Sequence, residues 1–206
     1  MNTNQLKRFA KEARIKLLDQ VGHKLEYVLS QDTAELRGKE KEIAELKQKI
    51  KEISKEQVIE MVSYTWFNRL MALRFMDANG YTVPKVVTPL PDMTNPEILQ
   101  NALGGNIESD LNTDRKRLNE LLDGKSKVTD AQTEAYKLLL IASCNQWHTT
   151  MPFMFEHIND YTELLLPDDL LSEYSIVTDI RNGMSDEDCK QEELIGWLYQ
   201  FYISDK

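Results

Sequence analysis

The fold is decided by the segment Ser63-Tyr64-Thr65-Trp66-Phe67-Asn68-Arg69-Leu70-Met71-Ala72-Leu73-Arg74-Phe75-Met76-Asp77. Apolar and aromatic residues fall on every side of a helix with this sequence, so the helix must be buried. Its arginines then need polar partners, because an unpaired buried charge is very costly. The segment therefore predicts a central helix whose Arg69 and Arg74 side chains join buried polar networks.

The composition is that of a folded protein without a membrane span. The 206 residues are 41% hydrophobic, enough for the core of one large domain or two small ones. The sequence has neither the roughly 18 consecutive apolar residues of a spanning helix nor the apolar stretch of a secretion signal. Its two cysteines cannot form a disulfide framework. These features predict a cytoplasmic protein with no membrane partner.

Charge divides the chain into a basic N-terminal part and an acidic remainder. Residues 1–51 carry 12 lysines and arginines against 8 acidic residues, a net of +4, and residues 52–206 carry a net of −13. Any contact with nucleic-acid phosphate is therefore expected from the N-terminal helices. The candidate contacts to the DNA backbone are Lys7, Arg8, Lys11 and Arg14. The same four residues also fit a solvated helix face beside Glu12.

Periodicity and capping signals predict a mainly α fold. We expect a helical bundle with an N-terminal hairpin of long helices, a Pro-rich loop and little or no β structure. The first helix covers residues 4–30, and a capping box at residues 32–35 opens a second helix that reaches about residue 53. This second helix either packs antiparallel against the first or protrudes as an arm that grips a partner. The apolar positions of the first helix are Leu6, Phe9, Ala10, Ala13, Leu17, Val21, Leu25 and Val28.

Further helices are predicted downstream. A capping box at Ser54 begins a helix over residues 55–78, which ends at Asn79-Gly80. Residues 81–95 contain three prolines and should form an extended loop with a short strand at Val86-Val87. Later helices are expected over 96–103, 109–122 and 129–149, and from a cap at Ser185 to the C-terminus. Residues 1–80 would thus hold the long helices, and residues 81–206 a helical subdomain packed on them as one continuous domain.

No catalytic or metal-binding motif stands out. Cys144 and His148 lie one helical turn apart, and His157 and Cys189 would complete four ligands, but these spacings match no zinc motif. A buried core thiol is the favoured interpretation of Cys144. Glycine-rich nucleotide motifs are absent, and no nucleophile, base and oxyanion site assemble. We therefore expect no catalytic, cofactor-binding or metal-binding residue in this chain.

Four segments with distinctive amino-acid sequences are spread along the chain. They are residues 1–10, 64–81, 95–99 and 195–203. In this order they resemble the N-terminal region of large adenine-specific DNA methyltransferases, above all those of the BREX phage-defence system (the PglX family), to which combined restriction–modification enzymes are related. The structural signature residues that we take from these stretches are Trp66, Phe67, Asn68, Arg69, Arg74, Phe75 and Trp197.

The resemblance implies the N-terminal portion of an enzyme that moves a methyl group from S-adenosylmethionine to an adenine flipped out of the duplex. The family's Asn-Pro-Pro-Tyr loop is missing here, since the chain has no Pro-Pro pair and Glu97 follows Asn95-Pro96. The family's glycine-containing cofactor motif is missing as well. The C-terminal helix is apolar and has no stop signal, so we expect the methyltransferase core to follow it and pack there. The expected partners are that core, DNA through the full-length protein, and other proteins of the defence system. S-adenosylmethionine is the expected cofactor of the full-length protein, and none should bind this chain.

Three functional hypotheses follow. The first is a non-catalytic helical scaffold of an adenine-specific DNA methyltransferase used in phage defence or restriction–modification. The second is a stand-alone interaction module that docks a partner through residues 32–53. The third is contact with DNA phosphates through the basic N-terminal helices.

Overall fold

The computed structural model of the chain describes residues 2–158 and 160–204. These residues form nine α-helices and one 3-10 helix without a β-strand, which confirms the mainly α prediction. The α-helices are α1 (Thr3–Ser30), α2 (Ala34–Arg37), α3 (Glu40–Glu52), α4 (Lys55–Ala78), α5 (Glu97–Leu103), α6 (Arg115–Leu122), α7 (Ala131–His148), α8 (Ile176–Gly183) and α9 (Leu194–Ile203). The 3-10 helix, Asp188–Lys190, lies between α8 and α9.

Helix α1 has the length and the buried face that its periodicity predicts. Asn2 caps it by accepting a hydrogen bond from the Gln5 amide at 3.2 Å. All eight predicted apolar positions are buried. Helix α1 runs antiparallel to α4, as its side-chain partners along α4 show. These pairs are Phe9 with Phe67, Arg14 with Glu60 and Glu26 with Lys55.

The region predicted as one helix over residues 32–53 is two helices. Thr33 caps α2 through the Leu36 amide at 3.3 Å, but a turn at Gly38-Lys39 ends it before α3 begins. The hairpin partner of α1 is therefore α4, and α3 packs chiefly on α4. Leu46 is the one fully buried residue of α3, so this helix has a narrow apolar stripe. Since α4 is apolar on every side, it offers α3 a surface beside the one that α1 covers.

Helix α4 follows its prediction closely. The Ser54 hydroxyl accepts a hydrogen bond from the Gln57 amide at 3.2 Å and so opens the helix. Gly80, with φ of 72°, ends it in the left-handed conformation that favours glycine. The 24 residues between these caps give a rod of about 36 Å through the middle of the protein.

The middle of the chain departs from its predictions in detail. The strand predicted at Val86-Val87 is not formed, and the single β-type pairing among the described residues is an isolated bridge between Pro89 and Pro96. Helix α6 begins at Arg115, six residues later than predicted, because the Asp114 carboxylate caps it there. Helix α7 begins at Ala131, two residues after the predicted start at residue 129, because the Asp130 carboxylate caps it there.

The C-terminal part contains a helix that the sequence analysis did not predict. This is α8, whose Ile176, Val177 and Ile180 are buried. Ser185 caps the 3-10 helix instead of α9, which begins only at Leu194. Helix α1 packs along α4, α8 and α9, so these four helices enclose the main core. Within residues 2–158 and 160–204, none of the helices combines the length and the apolar character that crossing a bilayer requires.

Candidate functional site

The candidate site is α4 together with its C-cap residue Asn79, whose polar side chains bind the backbone of four separate segments. Trp66, Phe67, Leu70 and Leu73 are fully buried, so the helix is enclosed as its sequence predicts. The enclosing segments include loops whose backbone N–H and C=O groups find no partner in a regular helix. Buried backbone groups need partners, and α4 supplies several of them.

Trp66 and Arg69 bind the segment that follows α7. The indole Nε1 of Trp66 donates to the Thr162 carbonyl oxygen at 3.1 Å, and Nη2 of Arg69 donates to the Glu156 carbonyl oxygen at 3.0 Å. The Arg69 guanidinium also lies 5.2 Å from the centre of the Trp66 ring, a cation–π contact. The two side chains thus bind the chain at Glu156 and at Thr162.

Arg69 is a buried cation that no carboxylate binds within residues 2–158 and 160–204. Its exposure is 2%, and burial lowers its pKa. In the part of the chain that the structure describes, its Nε and Nη1 atoms have no hydrogen-bond partner. The sequence analysis predicted polar partners for Arg69, and the partners in the structure are the Glu156 carbonyl oxygen and the face of the Trp66 ring.

Arg74 binds two further segments. Its Nε donates to the Met184 carbonyl oxygen at 3.0 Å, and its Nη1 donates to the Thr88 hydroxyl at 3.2 Å. Nη2 forms an ion pair with Asp186 at 2.5 Å. Because Arg74 is buried and Asp186 is exposed, the charge of Arg74 is neutralised at the surface of the protein. One turn further on, Asn79 donates to the Cys189 carbonyl oxygen at 2.8 Å.

Asp77 is a functional residue of this network that sequence reasoning missed. Its carboxylate accepts hydrogen bonds from the Thr82 hydroxyl at 2.5 Å and from the amides of Val86, Val87 and Thr88 at 2.9, 2.9 and 2.8 Å. Burial raises the pKa of Asp77, and these hydrogen bonds oppose that shift. The signal in the sequence is an acid at the end of an apolar helix, just before a Pro-rich loop that lacks a strand partner.

The aromatic signature residues divide between core and surface. Phe67 stacks on Tyr202 with ring centres 4.5 Å apart and so joins α4 to α9. Asn68 and Phe75 are half-buried on one side of α4. Trp197 lies outside this core: it is 39% exposed and stacks on Phe201 with ring centres 5.7 Å apart.

The four N-terminal basic residues do not form one surface. Lys7, Arg8 and Lys11 are exposed, and Arg8 pairs with Glu12 at 2.8 Å. The side chain of Arg14 is only 12% exposed and bonds to Glu60 of α4 at 2.5 Å. Its guanidinium also lies 5.8 Å from the centre of the Tyr202 ring. Arg14 therefore belongs to the junction of α1, α4 and α9, and the predicted group of four is reduced to three at the surface.

The cysteines and histidines lie in different environments. Cys144 and Cys189 are buried free thiols, and burial raises their pKa to about 12 and about 11. His148 bonds through Nδ1 to the Phe155 carbonyl oxygen at 2.8 Å, and its ring lies 5.7 Å from that of His157. Over residues 2–158 and 160–204, no three metal-binding side chains come together.

Helix α3, the second candidate binding element, turns its apolar side inward. Leu46 is buried, and Ile43 and Ile50 pack against the core. The outer side carries Lys41, which pairs with Glu45 at 3.7 Å. The helix is therefore packed on the body of the protein, and the protruding arm considered in the sequence analysis is not formed.

Comparison with known proteins gives no matching family model. The adenine-specific methyltransferase BrxX of Escherichia coli O9:H4 (strain HS) is 33% identical over an alignment of 238 positions, which covers 100% of this chain and 19% of BrxX. The adenine-specific methyltransferase PglX of Lacticaseibacillus casei (strain Zhang) is 30% identical over 242 residues, which cover 98% of this chain and 20% of PglX.

The chain thus spans about a fifth of the length of the curated relatives that it matches, and this fifth is their N-terminal part. The chain is a homologue of the N-terminal fifth of the adenine-specific methyltransferases of BREX systems.

Proposed function

We propose that this chain is the non-catalytic helical scaffold at the N-terminal end of an adenine-specific DNA methyltransferase that serves phage defence in the cytoplasm. The longer protein transfers the methyl group of S-adenosylmethionine to adenine in DNA. The 206 residues of this chain supply no catalytic or cofactor-binding group to that reaction.

The observation that carries the proposal is the use that α4 makes of its polar side chains. Trp66, Arg69, Arg74 and Asp77 all bind backbone or side-chain groups of neighbouring loops. Side chains that bind several loops from one helix are suited to rigid support, because motion of one loop breaks a buried hydrogen bond. The family's Asn-Pro-Pro-Tyr loop is absent from the sequence, which agrees with a supporting role.

The test compares the full-length polypeptide with one that lacks this region. Methyl transfer to DNA is measured for both, and S-adenosylmethionine binding is measured by calorimetry for the 206-residue chain. We expect the truncated polypeptide to lose methyl transfer and the 206-residue chain to bind no S-adenosylmethionine. Full methyl transfer by the truncated polypeptide, or tight cofactor binding by the chain, refutes the scaffold role.

A second role, contact with the DNA backbone, is favoured by the exposure of Lys7, Arg8 and Lys11. Phosphate contacts of this kind position DNA without reading its sequence. Alanine at all three positions in the full-length protein should weaken binding to every DNA sequence. The slope of log K against log salt should also become shallower, by about 0.9 for each phosphate that the variant no longer neutralises. An unchanged salt slope argues against these contacts.

Docking of another defence protein through residues 32–53 is the alternative function. Since the apolar side of α3 is inside, such a partner has to bind the charged outer side around Lys41 and Glu45. Reversing both charges (Lys41→Glu with Glu45→Lys) leaves the fold intact and should abolish a pull-down that depends on this surface. A pull-down that survives the reversal rules this docking surface out.

A further inference from the structure

An apolar groove lies beside α4 and takes no part in the hydrogen bonds by which α4 binds its neighbouring loops. Phe75 and Met76 of α4 form one wall, the end of α7 and the turn after it contribute Trp147 and Phe153, and α9 contributes Ile195. The groove encloses about 500 Å³, and none of its nine lining residues is charged. This absence of charge stands out in a chain with a net charge of −9.

Exposed aromatic side chains border the groove. Phe153 is 82% exposed at its edge, and Tyr81, on another side, is also exposed. Soluble proteins seldom leave contiguous apolar patches of this kind uncovered unless the patch binds something.

We propose that this groove receives an apolar segment of the methyltransferase core in a polypeptide of the relatives' length. The inference rests on the scaffold role proposed above and names the surface through which the scaffold holds the core. An uncharged groove lined by aromatic and methionine side chains favours binding of a neutral, apolar helix or loop.

The size of the groove favours this occupant over a separate molecule. A stable interface between independent proteins buries about 800 Å² and some 20–30 residues on each side, whereas nine residues line this groove. A separate partner or a second copy must also overcome the loss of translational and rotational freedom on association. A covalently linked segment is present at an effective concentration in the millimolar range, so a small apolar contact suffices to hold it. The relatives, five times as long as their matched part, contain such linked sequence.

Maleimide labelling of single introduced cysteines tests the proposal. The Phe153→Cys variant reports on the groove, and the Tyr174→Cys variant is the matched control because Tyr174 is 73% exposed and lies outside the groove. Cys144 and Cys189 are fully buried and give little background. Each variant is made in the 206-residue chain and in the full-length polypeptide, and unchanged thermal unfolding of the chain variants shows that the fold is intact.

We expect Phe153→Cys to react at least tenfold more slowly in the full-length polypeptide than in the 206-residue chain, and Tyr174→Cys to react equally fast in both. Equal rates for Phe153→Cys in the two proteins overturn the proposal. Protection that appears in the 206-residue chain and grows with its concentration also overturns it, because the occupant is then a second copy.

The two experiments distinguish a wrong assignment of the groove's occupant from a wrong assignment of the scaffold role. If only the groove assignment is wrong, labelling is equal in both proteins while removal of residues 1–206 still abolishes methyl transfer. If the scaffold role is wrong, the truncated polypeptide keeps its methyl transfer whatever the labelling shows.

Discussion

Replacing Asp77 with alanine removes the buried carboxylate that binds three consecutive amides of the 82–88 loop. The amides of Val86, Val87 and Thr88 then lose an acceptor at 2.8–2.9 Å. Each buried donor left without a partner costs about 1–3 kcal/mol. Part of this loss is offset, because the buried carboxylate itself no longer has to be desolvated. We expect Asp77→Ala to lower the free energy of unfolding by about 3–5 kcal/mol, which places it among the larger effects of single substitutions.

The assay is urea unfolding of the 206-residue chain followed by circular dichroism, with the midpoint and the slope compared between variants. Asp77→Asn should fall between wild type and Asp77→Ala, at a loss of about 1–3 kcal/mol. With its NH2 group at the Oδ1 position, only the Val86 amide loses its acceptor, because the Thr82 hydroxyl can turn to accept from that group. Asp92→Asn is the control: Asp92 is exposed in the following loop, and asparagine tolerates its positive φ of 62°. We expect this control to stay within about 0.5 kcal/mol of wild type. A loss below about 1 kcal/mol for Asp77→Ala refutes the reasoning.

Three further outcomes are expected. Gly183→Ala should cost about 1–3 kcal/mol, because a Cβ atom there overlaps the Phe9 ring, and combining it with Phe9→Ala should give a loss smaller than the sum of the two single losses. Cys144 and Cys189, whose thiol pKa burial raises to about 12 and about 11, should react with iodoacetamide at neutral pH only as fast as the protein unfolds, and rapid reaction of the native chain contradicts this. Burial opposes ionisation of Asp168, but the ammonium groups of Lys24 and Lys137 outweigh burial and lower the pKa of that carboxyl. The contribution of Asp168 to stability is therefore present above the usual pKa of about 4 and is lost as the pH falls through the lowered value. A stability advantage of wild type over Asp168→Asn that persists at pH 2 contradicts this.

The long helices could be predicted because their signals are local. Helix α1 shows eight apolar residues at helical spacing, and all eight are buried. Helix α4 is bounded by Ser54 and Gly80, a side-chain cap and a left-handed glycine that are both visible in the sequence. The burial of Arg69 and Arg74 also follows from the sequence, since no side of so apolar a helix faces water.

The remaining features depend on contacts between distant segments. Helix α8 has eight residues, too few to be stable alone, and forms because α1 and α4 pack on it. Arg14 has the spacing of an exposed basic residue, yet its partner Glu60 is 46 positions away. The sequence places Asp77 just before a Pro-rich loop, but which amides its carboxylate binds depends on how the 82–88 loop folds back.

Native-state hydrogen exchange of the 206-residue chain tests most directly whether α4 and its loops are one rigid unit. The amides of Val86, Val87 and Thr88, which Asp77 binds, should exchange with the same free energy as the amides in the middle of α4, that of global unfolding. If the loop amides instead exchange with a free energy several kcal/mol smaller while α4 stays protected, α4 does not hold its loops and the proposed scaffold loses its physical basis.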